Sequence, residues 1–336
     1  MKINREELLK QLESVTPGLS PREIIEQSSC FVFQNKIVMT YNDEIACTQK
    51  SCLNIKGAVA AAPFLSILRK LTEDTLDISV GEKGLVIKGK RKRACIKMET
   101  DILLPIDSVD RNTSWKSLPE DFTDAVSVVK HCAGTDETQF ALSCVRITPE
   151  GLEACNGEQA ARYKTKIKLK NPMLVRKTSL QQIIPLDMIK FNRTKQWIHF
   201  KNSSGLTMSC RRWVEDFPDI SKLFKMKGSP VSFPKGLTEA AEKAQIFSSE
   251  SNDDDIVIID LKPDQLKITG TGLTGSYQEI KKIKYKGTSF SFGIPPTLLA
   301  DLVQRHNVCS VSAERLKIKT GKYTYISVLQ VAGKEE

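Results

Sequence analysis

The sequence predicts an α+β protein built from six copies of one unit, a helix followed by antiparallel strands. Three observations carry that expectation: apolar residues recur at helical spacing in six segments, the segments return at a near-constant period, and the stretches between them read as short strands broken by turn residues. The helical stripes are Leu8, Leu9, Leu12, Val15; Phe64, Leu65, Leu68, Leu71; Phe122, Val126, Val129; Leu180, Ile183, Ile184; Leu237, Ala240, Ala241, Ala244; and Leu298, Leu299, Leu302, Val303. Their centres lie about 54 to 61 residues apart, as duplication of one structural unit requires. Strands are expected at 30–39, 75–80, 84–90, 162–169, 196–201, 206–210, 255–260, 265–269, 289–293 and 322–329, where β-branched and aromatic residues gather. Turn sequences such as Asn35-Lys36, Glu82-Lys83-Gly84, Pro149-Glu150-Gly151, Asn156-Gly157, Ser203-Ser204-Gly205 and Lys262-Pro263-Asp264 fall between them.

A unit of this size buries too little apolar surface to stand alone, so units are expected to pair into domains of about 110 residues. Three repeated domains follow, 1–115, 116–224 and 225–336, with joints in the polar stretch from Asp110 to Pro119 and the Lys/Gly/Pro-rich stretch from Phe224 to Gly236.

With 336 residues, 40% apolar and 27% charged, the composition is that of a folded globular protein and excludes wholesale disorder or a collagen-like repeat. The longest apolar stretch, Ala58 to Leu68, is well short of the roughly 20 residues a membrane helix needs. The first residues alternate charge where a secretory signal would be apolar, so no membrane association and an intracellular location are expected. Nine Cys are scattered without a Cys-x-x-Cys, and three His lie far apart. That pattern reads as reduced, buried thiols, with no metal and no cofactor expected.

Three motifs imitate catalytic sites and are set aside. Gly270-Thr-Gly272-Leu-Thr-Gly275 fits a dinucleotide-binding turn, but the residues after it look extended and basic instead of helical, and no acid follows at the required distance. Ser127-Val-Val-Lys130 with Lys319-Thr-Gly321 matches two of three β-lactamase boxes, and Ser251-Asn252-Asp253 has the wrong order for the third. Asp253-Asp254-Asp255 reads as a solvated turn. No catalytic residues are assigned and no enzyme activity is expected.

Basic residues recur on or beside the helices: Arg5 and Lys10, Arg69 and Lys70, Lys130, Arg176 and Lys177, Lys235 and Lys243, and Arg305. Basic residues number 17 against 15 acidic in 1–115, 17 against 12 in 116–224, and 16 against 13 in 225–336, so the net +10 is spread along the chain. If the helices share one surface, these side chains form a diffuse positive face suited to a phosphate backbone, although from composition alone solvation of exposed helix faces is the simpler account of them.

Helix plus strands six times over resembles the bacterial DNA polymerase III beta subunit family of sliding clamps. Local sequences carry the resemblance: Met1-Lys2-Ile3 with Arg5-Glu6-Glu7-Leu8-Leu9-Lys10 at the start, Phe217-Pro218-Asp219-Ile220-Ser221-Lys222-Leu223 like the family's Phe-Pro-Asp-Tyr, and Ala154-Cys155-Asn156-Gly157-Glu158-Gln159-Ala160 like its Ala-Thr-Asp-Gly-His-Arg-Leu turn. Leu266-Lys267-Ile268-Thr269 and Tyr323 to Gln330 sit where the family has strands. The resemblance implies three clamp domains forming half of a ring, a head-to-tail homodimer around double-stranded DNA, and tethering of the replicative polymerase at the replication fork.

It also implies two surfaces. DNA polymerase and clamp loader would dock short hydrophobic peptides against Phe140, Cys155, Gly157, Gln159, Ala160, Pro218, Lys222, Leu223, Thr324, Ile326 and Val328. The subunits would join through Ala94, Cys95 and Ile96 of one copy and Ile246 and Phe247 of the other. Arg22 takes the place of the family's exposed DNA-contacting loop arginine, whereas its aromatic pair is Thr138 and Gln139 here; Glu158-Gln159 replaces its His-Arg, and the chain runs six residues past the usual end. The rival readings are a monomeric basic processivity subunit held on DNA by charge, a nucleic-acid-modifying enzyme, and a symmetric assembly protein.

Overall fold

The computed structural model of the chain describes residues 1–110, 114–226, 228–248, 256–305, 308–312 and 315–328. Six α-helices occur among them, one at each predicted stripe: α1 (Arg5–Ser14), α2 (Ala61–Lys70), α3 (Phe122–Val129), α4 (Lys177–Leu180), α5 (Leu237–Ser248) and α6 (Pro296–Arg305). The Asn4 side chain starts α1 by accepting the N–H of Glu7, and Glu6 and Glu7 place negative charge at the positive end of the helix. Pro63 is tolerated in the first turn of α2, where no intrahelical donor is lost. The fourth stripe gives a shorter helix than its spacing suggests. Pro185 lacks an N–H, so after Leu180 the chain tightens into a 3₁₀ segment, Gln181–Leu186, closed by Asp187 at φ 47°.

The chain divides into two compact units, Met1–Thr123 with Thr178–Trp213, and Asp124–Lys177 with Val214–Glu336, so the stretch expected as a middle domain is shared between them. In the first unit, one sheet has the order Lys2–Asn4, Thr75–Gly81, Gly84–Lys88, Arg93–Ile96. A nine-stranded sheet runs Lys116–Ser117, Met188–Arg193, Trp197–Asn202, Thr207–Arg211, Ile45–Lys50, Ile37–Tyr41, Cys30–Gln34, Gly57–Ala60, Met98–Glu99. In the second unit, an eight-stranded sheet runs Met173–Arg176, Cys144–Thr148, Gly151–Cys155, Gln159–Lys164, Tyr323–Val328, Arg315–Thr320, Val308–Val311, Ser229–Ser232. A four-stranded sheet runs Gly275–Lys282, Gln265–Gly272, Val257–Lys262, Phe290–Ile294.

One rule generates all four sheets. Each helix is preceded by a short strand, and that strand pairs with the first strand of a three-stranded meander. Lys2–Asn4, which leads into α1, pairs with Thr75–Gly81, which follows α2, while Gly57–Ala60, which leads into α2, pairs with Cys30–Gln34, which follows α1. Neighbouring repeats thus exchange their leading strands, which supplies the pairing that a lone repeat lacks. The same exchange links Lys116–Ser117 with Met188–Arg193, Met173–Arg176 with Cys144–Thr148, Ser229–Ser232 with Val308–Val311, and Phe290–Ile294 with Val257–Lys262.

The two large sheets each join a pair of meanders, last strand to last strand. In the first unit the seam sets Met208 opposite Cys47 and Ser209 opposite Ala46; in the second it sets Ala160 opposite Ile326 and Gln159 opposite Ser327. The helices bury Leu8, Leu12, Phe64 and Leu68 in the first unit and Leu237, Ala240, Ala241 and Ala244 in the second. Phe31 and Phe64 meet edge-on at 6.4 Å between centroids. The glycine-rich match is a hairpin between two strands and opens no helix, as expected. Gly270 is there because a Cβ would strike the carbonyl of Ala244 on α5. Lys319 to Gly321 likewise belongs to a hairpin.

Candidate functional site

The site is built on the seam of the second unit. A connector from Phe217 to Phe224 crosses that seam, and Ile220 packs on Cys155 and Ala160 beneath it, with Leu142, Phe217, Leu223 and Phe224 around them. Between connector and sheet lies a mainly apolar cavity of about 330 Å³, lined by Leu142, Cys155, Gly157, Glu158, Gln159, Ala160, Pro218, Asp219, Ile220, Leu223, Arg315, Ile326 and Val328. Asn156 shapes its rim, accepting the N–H groups of Glu158 and Gln159, and Gly157 turns the hairpin at φ 95°.

Eight of the eleven expected pocket residues meet here: Cys155, Gly157, Gln159, Ala160, Pro218, Leu223, Ile326 and Val328. Three are not among the lining residues. Phe140 sits in the 3₁₀ segment Glu137–Ser143 under the Arg176 guanidinium, 4.8 Å from its ring centre. Lys222 is exposed on the connector, and Thr324 stands across the seam from Arg162. Leu142, Glu158, Asp219, Ile220 and Arg315 complete the wall, and of these only Glu158, Asp219 and Ile220 belong to motifs quoted from the sequence.

Chemically the pocket offers mainly apolar contact. Burial pushes the Cys155 thiol up to about 11, so it packs as a small hydrophobe instead of a nucleophile. The Asp219 carboxyl is held below its usual range by the Ser221 N–H and hydroxyl. Gln159 is 7% exposed, and its Oε1 has no hydrogen-bond partner among the described residues. A buried acceptor of that kind favours a ligand that brings an N–H.

The seam of the first unit carries a matching cavity that the sequence did not reveal. It measures about 280 Å³ and lies among Met39, Ala46, Ile106, Val109, Trp115 and His199. There too a connector covers the sheet, with Leu104, Ile106 and Val109 packed on Met39, Ala46 and Trp197.

The expected basic positions separate into groups. Arg5 is tied down: its Nε reaches the Glu73 carbonyl at 3.2 Å and its Nη1 the Leu68 carbonyl at 3.4 Å, closing the end of α2. Arg176 stacks on Phe140, and the Lys177 Nζ donates to the Ala133 carbonyl at 2.9 Å. Lys130 is half-buried after α3. Lys10, Arg22, Lys70 and Lys235 are exposed, as are Arg69, paired with Glu13, and Lys243, paired with Glu279. The side chain of Arg305 lies outside the described residues, as do those of Leu298 and Leu302, all of His306 and Asp253-Asp254-Asp255, and everything from Leu329 on.

Denser positive charge lies off the helices. Lys88, Lys90, Arg91, Lys92, Arg93 and Lys97 are exposed around one hairpin of the first unit, Lys164, Lys166, Lys168 and Lys170 along one segment of the second, and Lys282, Lys284 and Lys286 near its sheet edge. Runs such as Lys-Gly-Lys-Arg-Lys-Arg are plain in the sequence and were the signal for these surfaces.

The positions expected at a subunit joint fall on one edge strand and at the end of one helix. Arg93–Ile96 ends one sheet of the first unit, with Cys95 exposed and Ile96 buried. Ile246 is 64% exposed at the end of α5, and Phe247 lies beside Gly275 at the start of the edge strand Gly275–Lys282.

Solved structures decide the architecture. The chain aligns over 98% of its length, and 98% of the other chain, with a Pseudomonas aeruginosa DNA polymerase III beta subunit sliding clamp bound to griselimycin, at 16% identity and a TM-score of 0.73. The beta subunit from Thermotoga maritima covers 99% of both chains at 13% identity and 0.74, and the sliding clamp from Bacillus subtilis 99% of both at 15% and 0.73. The chain has the sliding-clamp fold. No family model and no curated protein matches the sequence, so the likeness rests on three-dimensional structure.

Proposed function

We propose that the protein is a DNA sliding clamp, a processivity factor that encircles duplex DNA and tethers a replicative polymerase. The observation that carries this reading is the full-length correspondence with clamp structures. The apolar pocket on the second seam supports it, because a tether needs a place where a partner's short hydrophobic segment can anchor. In this reading 1–115, 116–224 and 225–336 are three clamp domains, each held together by exchanged leading strands. Two copies close a ring head to tail, edge strand Arg93–Ile96 of one against the edge near Ile246 and Phe247 of the other. Polymerase and clamp loader take turns at the pocket, and the work is done in the cytoplasm at the replication fork. Among the described residues, no helix is long and apolar enough to cross a membrane.

The mechanism is topological. An encircling ring holds DNA by closure, so exposed cations such as Lys10, Arg22, Arg69, Lys70, Lys235 and Lys243, with half-buried Lys130, need only weak, mobile phosphate contacts. Tethering converts each polymerase rebinding into an intramolecular event at high effective concentration. No step in this mechanism makes or breaks a bond.

Sedimentation equilibrium tests the assembly. A reversible dimer is expected. A monomer at every concentration that still binds linear and circular DNA alike would favour a basic subunit held on DNA by charge.

A further inference from the structure

Beside the anchor pocket the same sheet carries a second cavity, about 490 Å³ and polar, whose lining includes Arg146, Glu153, Arg162, Lys164 and Ser221. The strand register shows that the two adjoin. In the hairpin of Gly151–Cys155 with Gln159–Lys164, Cys155 stands opposite Ala160 in the anchor pocket, and Glu153 opposite Arg162 in the polar one. Residues two apart share a face, so the cavities follow each other along one ladder, roughly 7 to 13 Å apart for offsets of two to four residues. The connector serves both, with Ile220 in one wall and Ser221 in the other.

The charges there do not balance. Glu153 is buried and receives both guanidiniums, Arg146 Nη1 at 3.1 Å and Arg162 Nε at 2.6 Å. One carboxylate serves two arginines, exposed Lys164 adds a third cation, and exposed Glu150 is the only other acid in the lining. The guanidiniums are also fixed in place. Arg162 lies 4.7 Å over Phe224 and gives an N–H to Ser221 Oγ at 3.0 Å, and Arg146 lies 5.6 Å over Phe217. Two guanidiniums carry ten N–H donors, and three are engaged within the described residues. Pre-set, partly desolvated donors of this kind recognise a carboxylate.

We infer that the polar cavity binds an acidic side chain of the same partner segment whose apolar side chain fills the anchor pocket. The partner chemistry is an extended segment with a bulky apolar anchor, an Asp or Glu two to four residues away, and an N–H placed to meet Gln159. This deepens the clamp reading and rests on it, since it takes the anchor pocket to be where partner segments dock. The competing role for the two arginines is purely internal, fastening the connector to the sheet through Glu153, Phe217 and Phe224.

Fluorescence anisotropy with labelled ten-residue peptides separates these. Each peptide carries a Leu-Phe anchor and a Glu two, three or four residues to either side, matched against the same peptide with Gln. The intact protein should bind the best Glu peptide about tenfold more tightly than its Gln match at low salt, a gap that narrows as salt screens it. In the double variant Arg146→Gln, Lys164→Gln, which keeps the Arg162–Glu153 pair and its stack, that gap should close to within about twofold while the Gln peptides bind as before. Lys164→Gln alone, at an exposed position that spares the fold, should narrow the gap about threefold. Equal binding of Glu and Gln peptides by the intact protein overturns the inference and leaves the anchor pocket standing, and so does a preference that survives both variants. If no anchor peptide binds, the pocket and this inference fall together.

Discussion

Acid should weaken the first unit through His199. The ring is buried in the strand Trp197–Asn202, with Nδ1 2.7 Å from Ser209 Oγ and Nε2 3.2 Å from Thr194 Oγ1. Burial pushes its pKa down to about 4 from an ordinary 6.5, opposed in part by the Asp110 carboxylate. Between those two values the unfolded chain binds a proton that the folded chain does not, so stability falls as pH falls through the window from about 6.5 to 4. Linkage then gives a loss of about 2 kcal/mol between pH 7 and pH 5 from this one group, a sizeable part of a typical unfolding free energy. Urea unfolding followed by tryptophan fluorescence reads this unit, because Trp115, Trp197 and Trp213 all belong to it. The comparison is between the wild type and His199→Asn at pH 7, 6 and 5. The cost of losing the ring's hydrogen bonds is present at every pH and drops out. The wild type's stability should depend on pH more steeply near pH 5, by about 1.2 kcal/mol per pH unit. Equal slopes for the two proteins would refute the account of His199 as a buried, neutral ring.

Three further outcomes are expected. Cys95 is the exposed cysteine, and burial raises the thiols of half-buried Cys30 and Cys52, so a maleimide at neutral pH should label Cys95 first; its rate should drop severalfold once dimers form, and a constant rate would remove this strand from the joint. Gly270→Ala should cost about 2 kcal/mol or more in a thermal or urea melt, because the added methyl meets the Ala244 carbonyl, and an unchanged melt would contradict that close approach. Arg5→Ala should cost about 1.5 to 3 kcal/mol by losing its bonds to two carbonyls, whereas Arg69→Ala, at an exposed ion pair, should cost under about 1 kcal/mol. Equal, small losses would return Arg5 to the DNA-facing set.

The repeat was legible because its helices are marked by apolar stripes with a near-constant period, and those stripes became α1 to α6. Local turn chemistry was equally readable: Asn35 and Lys36 turn their hairpin at φ 53° and 59°, and Asp264 turns its own at 57°. What stayed hidden was set by contacts far apart in the chain. The leading strands Lys2–Asn4 and Gly57–Ala60 are three and four residues long, too short to announce which meander they join. The expected strand from Arg162 to Leu169 shows the physical limit of pattern reading. The structure has Gln159–Lys164, after which Thr165 and Ile167 remain buried and the alternate lysines exposed, but their N–H groups turn to the carbonyls of Glu150 and Pro149. Alternation predicted the faces correctly and could not tell a sheet ladder from a loop that alternates. The anchor pocket was visible only as far as its motifs reached. Leu142 and Arg315 enter from elements far away in the sequence, and Phe140 was drawn instead to Arg176. Of the basic residues on or beside the helices, Arg5, Arg176 and Lys177 serve the fold, while the exposed lysine runs lie on strands and hairpins.

Retention on nicked circular DNA compared with the same DNA linearised, at moderate salt and after loading, tests the central claim most directly. A ring that holds DNA by closure should persist on the circle and run off the free ends, so linearisation should release the protein. Equal retention on both forms, lost in parallel as salt rises, would contradict closure and leave electrostatic attachment in its place.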